Sequence, residues 1–193
     1  MNRNEAYQLL TTYLKNKNLL KHSLAAEAAM KGIYRHLTPK DDQNHTEEEK
    51  WGITGLLHDI DYEVAQDTNQ LHKHGILLFE KHEITLPDDI TFAIKSHNFH
   101  DTKIMPQHAM DWAIVTADRL TGLIVAAALV TPEKKLASLT TESVLKRFKE
   151  KSFAKGANRE SIMLCESKLT IPLKNFVEIT LHAMQAISAE LGL

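Results

Sequence analysis

Apolar residues recur at helical spacing along nearly the whole chain, and no stretch sustains the strict alternation of a half-buried strand. Ala6, Leu9, Leu10, Tyr13 and Leu14 fall on one face of a helix predicted over residues 4–15. An alanine-rich helix follows over 19–37, then a polar loop, TPKDDQNH, from Thr38 to His45. Thr46 with Glu49 forms a T-x-x-E capping box, which starts a third helix running to about His58. A cap at Asp67–Asn69 predicts a fourth helix over 70–82, and Pro87 with Asp88 and Asp89 opens a fifth to about His97. Pro106 opens a long sixth helix, 106–130. Thr131-Pro132-Glu133 reads as a stop followed by a new N-cap and first-turn proline. Shorter helices are predicted near 141–150 and 158–169, and Pro172 begins the last one. The pattern predicts an all-α protein: one helical domain over residues 1–130, with a C-terminal helical extension, 131–193, packed on it.

The composition narrows the function classes. The 193 residues carry a formal net charge of −2, so nothing suggests a footprint for polymeric nucleic acid. A local basic pocket for a small phosphorylated ligand stays open. One cysteine, Cys165, rules out an internal disulfide, fits a reducing compartment and reads as a small apolar filler. The N-terminal MNRNEAYQLLTTYL lacks the apolar core of a signal peptide. The most apolar run, Leu120–Val130, is 11 residues, short of a bilayer span. The expectation is a cytoplasmic protein with no membrane partner.

Chemistry collects where charge interrupts apolar sequence. Asp118 lies in AIVTADRLTGLIVAAALV, a helix apolar almost all round and therefore buried. A carboxylate there needs an ion pair or a metal ion. Arg119 is adjacent, but i,i+1 side chains diverge on a helix. His58-Asp59 follows the apolar GLL at a predicted helix end, where both side chains can reach one ion. Imidazole with carboxylate suits a borderline or hard divalent cation. His22, in NLLKHSLAAEAAM, is either a third ligand or an ordinary half-buried histidine bonded to a carbonyl.

The ordered set HSLAAEAAM, GLLHDIDYE, HKHG, AIKSHN and ADRLTGLIVAAALV resembles the HD-domain superfamily of metal-dependent phosphohydrolases. It is most similar to the small stand-alone bacterial proteins described as HDIG-type predicted hydrolases. The resemblance covers roughly residues 5–190, including KSFAKGANRE near the C-terminus. It implies that His22, His58, Asp59 and Asp118 ligate one divalent ion. It also implies His74 and His97 as added ligands for a second ion bridged by Asp59. His74 is preferred over His72 because the family pairs its histidine with a following glycine. His100-Asp101 reads as loop, and His36, His45, His82, His108 and His182 as surface residues. Relatives acting on nucleotides or alarmones often carry a glutamate three residues after the HD aspartate; Tyr62 stands there, with Glu63 one further on.

The implied activity is a metal-dependent phosphoric-ester hydrolase, a phosphomonoesterase or phosphodiesterase, acting on a small phosphorylated metabolite, nucleotides foremost. Asp59 is assigned to catalysis as well as ligation. Asp61 is the candidate water-orienting group, or else a cap or an acceptor that orients a ligand histidine. Lys21, Lys95 and Arg119 are candidate phosphate partners. The ligand set admits Mn, Fe, Co, Ni, Zn or Mg, and several imidazoles favour a transition metal. The competing classes are a non-catalytic metal- or ligand-binding regulatory module and a di-iron oxygenase. A broad apolar stripe from Leu173 to Ile187 packs on its own domain or seals a homodimer.

Overall fold

A computed structural model describes every residue except position 82, so the reading of His82 lies outside the described residues. The described residues contain helices and turns and no strand. In chain order the helices are α1 (Arg3–Tyr13), α2 (Lys17–Leu37), α3 (His45–Leu57), α4 (Tyr62–Asp67), α5 (Leu77–Glu80), α6 (Asp88–His97), α7 (Phe99–Thr102), α8 (Ala109–Leu129), α9 (Thr141–Lys149), α10 (Arg159–Leu169), α11 (Leu173–Ala186) and α12 (Ser188–Leu191).

Local chemistry starts the helices. The Asn2 and Asn16 carboxamides accept N–H groups in the first turns of α1 and α2. Asn44, rather than Thr46, caps α3: its Oδ1 accepts from Thr46 N at 2.8 Å. The long apolar helix begins at Ala109 and not at Pro106, because Asp111 accepts N–H groups from His108 (2.8 Å) and Gln107 (3.0 Å). No helix starts at Thr131-Pro132-Glu133. The chain bends there, with Lys134 left-handed at φ 52°, and makes only a 3-10 turn at Leu136–Ser138. The single helix predicted over 70–82 is also absent. A 3-10 turn at Leu71–Lys73 leads into extended His74, left-handed Gly75 and then short α5.

Two apolar clusters hold the helices. One joins Leu10 and Leu14 of α1 to Ile53, Leu56 and Leu57 of α3 and Ile90 and Ile94 of α6. The larger one is built around α8, where Ile114, Leu120 and Ile124 meet Ala29 and Ile33 of α2. Residues after 130 supply Val144, Ile162, Phe176, Leu181 and Met184 to that same cluster. Each such side chain contributes about 1.5–3 kcal/mol of burial, so this segment shares a core with α2 and α8. The stripe on α11 is spent inside the monomer: Phe176, Val177, Thr180, Leu181 and Met184 are all buried. By length and composition alone α8 is apolar enough to cross a membrane, but 72% of its most apolar window is buried within the fold.

One close approach sets the frame for the site. A Cβ on Gly55 would stand 2.5 Å from the Ala26 carbonyl oxygen and 2.7 Å from its carbon. Backbone therefore meets backbone between α2 and α3, which brings His58 beside His22.

Candidate metal centre

Four imidazoles and two carboxylates converge between α2, the end of α3, the turn before α5, the end of α6 and the middle of α8. His58, Asp59, His97 and Asp118 are buried, and His22 and His74 are half-buried. His22 Nε2 stands 3.0 Å from Asp118 Oδ1, 3.3 Å from His58 Nε2 and 3.7 Å from Asp59 Oδ2. His58 Nε2 lies 3.5 Å from Asp59 Oδ2 and 3.7 Å from Asp118 Oδ1. On the other side of the same carboxylate, Asp59 Oδ1 faces His97 Nε2 at 3.4 Å and His74 Nε2 at 3.8 Å. Asp59 thus belongs to two triads, His22/His58/Asp59 and Asp59/His74/His97, each compact enough to hold an ion. Asp118 adds a fourth side chain to the first.

The imidazole tautomers decide what these nitrogens can do. His58 Nδ1 donates to the Gly55 carbonyl at 2.8 Å, His97 Nδ1 to Ile94 at 2.6 Å, and His74 Nδ1 to Leu71 at 2.7 Å. Each partner is the carbonyl three residues back, and a carbonyl only accepts. The neutral ring then carries its lone pair on Nε2, aimed at a carboxylate that also only accepts. Lone pair facing lone pair needs a cation or a proton between them. His22 sits in mid-helix, where its own backbone offers no such carbonyl. Thr121 supplies the substitute: its hydroxyl donates to Asp118 O at 2.8 Å, leaving its oxygen to accept from His22 Nδ1 at 3.4 Å. Two ligands bound at about 2.1 Å stand roughly 3.0–3.4 Å apart across an ion. Most of the separations here lie at or slightly beyond that range. Buried His97 Nε2 has no hydrogen-bond partner among the described residues. The donor set therefore fits one or two divalent cations.

Electrostatics point the same way. Burial alone would keep His58 neutral, but Asp59 and Asp118 outweigh it and lift its pKa to about 9 in the metal-free protein. Burial opposes the charge on Asp59, yet His58 and His97 hold its pKa below the usual carboxylate range. Against the same burial penalty, Arg119, His22 and His58 hold Asp118 well below it. Burial, reinforced by His97, lowers the His74 pKa and favours its ligating neutral form. Two buried carboxylates thus stay ionised and attract any cation that can enter.

Several expectations are corrected. Asp61 does not face the cavity as a water-orienting group. It is fully buried, and its two oxygens accept from Gly75 N at 2.7 Å and Leu77 N at 2.8 Å. It ties the turn carrying His74 to the turn carrying Asp59. Glu63 points away, accepting the backbone N–H groups of Lys15 and Asn16. Arg119 does pair with its neighbour: Nε reaches Asp118 Oδ2 at 3.3 Å, because a long flexible side chain can fold back although its Cβ diverges. Of the three candidate phosphate partners, only Arg119 lines the cavity over the site. Lys21 lines an adjoining pocket that shares His22 and Gly122 with that cavity, and Lys95 lies 5.1 Å over the Phe79 ring. His100 and Asp101 are exposed and sit on short α7 rather than in a loop, and neither belongs to the two triads. His36, His45, His72, His108 and His182 are exposed.

Gly75 has a local reason to be glycine. Its φ is +89°, and a Cβ would stand 2.8 Å from His97 Cε1 and 3.0 Å from Ile94 O. The HKHG turn can therefore pack against His97 only without a side chain at that position.

No protein-family model, curated protein or solved structure matches the chain.

Proposed function

We propose that this chain is a metal-dependent phosphoric-ester hydrolase acting on a small phosphorylated metabolite, nucleotides foremost, and that it belongs with the HD-domain proteins its motifs resemble. The observation that supports this most is the shared carboxylate: Asp59 presents one oxygen to His22 and His58 and the other to His74 and His97. Sharing of this kind suits a pair of ions about 3.5–4 Å apart, as used for in-line displacement at phosphorus. Bound divalent ions would polarise a phosphoryl oxygen and bring the pKa of a coordinated water towards neutrality.

The chain's own groups divide the remaining work. His22, His58, Asp59 and Asp118 would hold one ion, and Asp59, His74 and His97 the other. The donor set has no thiolate, since buried Cys165 lies in the larger apolar cluster. It favours Mn, Fe, Co, Ni or Zn over Mg. Arg119, at the cavity wall beside Asp118, offsets the negative charge of a phosphoryl group. The backbone carbonyls of Gly55, Leu71 and Ile94 hold His58, His74 and His97 in their ligating tautomers, so the site needs little rearrangement to load.

One observation favours a second reading. With Asp61 buried and Glu63 turned away, no carboxylate among the described residues other than the candidate ligands Asp59 and Asp118 lines the cavity to serve as a general base. A non-catalytic metal- or ligand-binding module is consistent with that. A di-iron oxygenase would need both His74 and His97 on iron, and their position beside Asp59 is consistent with that.

The test is elemental analysis of purified protein, followed by phosphate release from nucleotides and sugar phosphates with Mn or Co supplied. Hydrolysis that disappears in Asp59→Ala supports the hydrolase. Metal binding that raises the melting temperature without turnover supports the module. Oxygen consumption by the iron-loaded protein supports the oxygenase.

A further inference from the structure

The cavity over the metal centre measures about 430 Å³, far more than ions and a phosphoryl group fill. Its lining is of two kinds. His22, Asp59, His74, Asp118 and Arg119 are polar. Leu19, Tyr62, Gly122, Ala154, Gly156 and Ala157 are uncharged, and mostly small.

Two of those small residues have no structural reason to be glycine. A Cβ on Gly122 or on Gly156 would meet nothing within 4 Å, and neither residue has a positive φ. Gly122 lies inside α8, one turn beyond Asp118, where glycine weakens a helix. Both glycines are exposed and line this cavity, so the space beside each is part of a cleft open to solvent, and Gly122 also borders the adjoining pocket.

The loop that carries Gly156 is braced from behind. The Arg159 guanidinium donates Nη1 to the carbonyls of Ala154 (2.6 Å) and Ala157 (2.7 Å). Nη2 reaches Phe153 O and, more weakly, Glu150 O at 3.4 Å, and Nε reaches Phe148 O at 3.4 Å. One side chain thus gathers carbonyls from residue 148 to residue 157 and holds Ala154 in the left-handed region at φ 43°. Arg159 belongs to α10, which packs against α8, so the brace fixes the loop relative to the helix that carries Asp118 and Gly122. A guanidinium spent on carbonyls is not available to a substrate phosphate.

We propose that the space between Gly122 and the Arg159-braced loop receives the uncharged organic part of the phosphoester, its leaving group, and that Arg159 is the positioning residue that shapes it. This assignment rests on the phosphoester reading of the metal centre. It predicts a substrate with a phosphoryl group at the ions and a compact, uncharged ring or aliphatic body against Tyr62 and the two glycines.

The probes are inorganic phosphate, which needs only the metal side, and phenylphosphonate, which adds an uncharged ring. Binding of each to Mn-loaded protein is followed by calorimetry in the wild type and in Gly122→Leu, Gly156→Leu, Arg159→Ala and, as a control for folding, Gly122→Ala. The wild type binds phenylphosphonate about ten-fold or more tightly than phosphate, the range a filled apolar pocket supplies. Both leucine variants and Arg159→Ala lose that preference while keeping wild-type affinity for Mn and for phosphate. Gly122→Ala keeps Mn and phosphate binding and melts no lower than the wild type.

Three results overturn the assignment: no preference for the ring in the wild type, a preference that survives both leucine variants, or loss of phosphate and phenylphosphonate binding together in them. A parallel loss of Mn binding in Arg159→Ala overturns its role as a shaping residue. Failure of the wild type to bind Mn at all overturns the metal-centre reading instead, so the two failures are distinguishable.

Discussion

Asp61→Asn isolates a tie that no ligand makes directly. The Asp61 carboxylate receives two backbone N–H groups, from Gly75 at 2.7 Å and Leu77 at 2.8 Å, in a fully buried setting. Burial raises its pKa, and the two N–H donors pull it back, so its charge depends on those bonds. Asparagine keeps one accepting oxygen but turns an NH2 group towards the other N–H, setting donor against donor. A hydrogen bond to a charged group is worth about 1.5–3 kcal/mol, and a buried donor left unpaired costs a similar amount. The expected loss is therefore roughly 2–4 kcal/mol. For a chain of this size that is a melting temperature lower by about 5–15 °C. The assay is thermal unfolding of metal-free protein, so that ions cannot mask the effect, paired with elemental analysis after reloading. With the turn loosened, His74 leaves its place beside Asp59, and the His74/His97 position empties first. An Asp61→Asn protein that melts with the wild type would refute the tie. One that keeps its stability and metal content but loses turnover would restore Asp61 as a base.

Further outcomes follow from the same geometry. Gly75→Ala meets both an unfavourable φ and a 2.8 Å approach to His97, so it should lower stability by about 1–3 kcal/mol and release metal from the His74/His97 position in elemental analysis. In the metal-free protein His58 holds its proton up to about 9 against an ordinary 6.5. That stabilisation is complete below 6.5 and is lost as pH rises through 9. Metal binding needs the proton to leave, so it strengthens over the same window. The gap in melting temperature between Mn-loaded and metal-free protein should therefore widen with pH, and a constant gap would contradict the assignment of His58. Burial, with Glu166 nearby, raises the Cys165 thiol to about 12. Native protein should therefore resist disulfide reagents that titrate one thiol after denaturation.

How far the sequence speaks depends on the range of the cause. Helices with long apolar faces were legible, because burial of one stripe is a local property of the pattern. Asp118 was legible for a similar reason: a carboxylate ringed by apolar residues has to answer for its charge, and the structure brings it to His22. The segment 70–82 was not legible. Its apolar Ile76–Phe79 run looks helical, but Asp61 and the left-handed Gly75 interrupt it, and neither the N–H capture nor the packing on His97 leaves a trace in periodicity. Placing both histidines of HKHG on a helix was wrong, yet His74 still turns inward while His72 is exposed. Thr121 escaped notice because it acts on a ring nitrogen far back along the chain, and the role of Arg159, although it lies within KSFAKGANRE, because it acts on main-chain carbonyls; any threonine or arginine on a helix looks the same in sequence. The pairing of Arg119 with Asp118 shows the limit of the divergence rule, which concerns Cβ directions and not the reach of a guanidinium.

The sharing of one core by α2, α8, α10 and α11 constrains when the centre can exist. A nascent chain leaving the ribosome has synthesised His22, His58, Asp59, His74, His97 and Asp118 long before the residues that pack behind α2 and α8. Until Ile162, Phe176 and Leu181 arrive, the two helices that must face each other lack their common backing, and His22 has no fixed spacing to Asp118, although α3 and α6 already share a cluster of their own. On the proposed metal-centre reading, the meeting of His22 with Asp118 is thus a late event in biogenesis, coupled to completion of a distant part of the polypeptide and not to translation of those residues themselves.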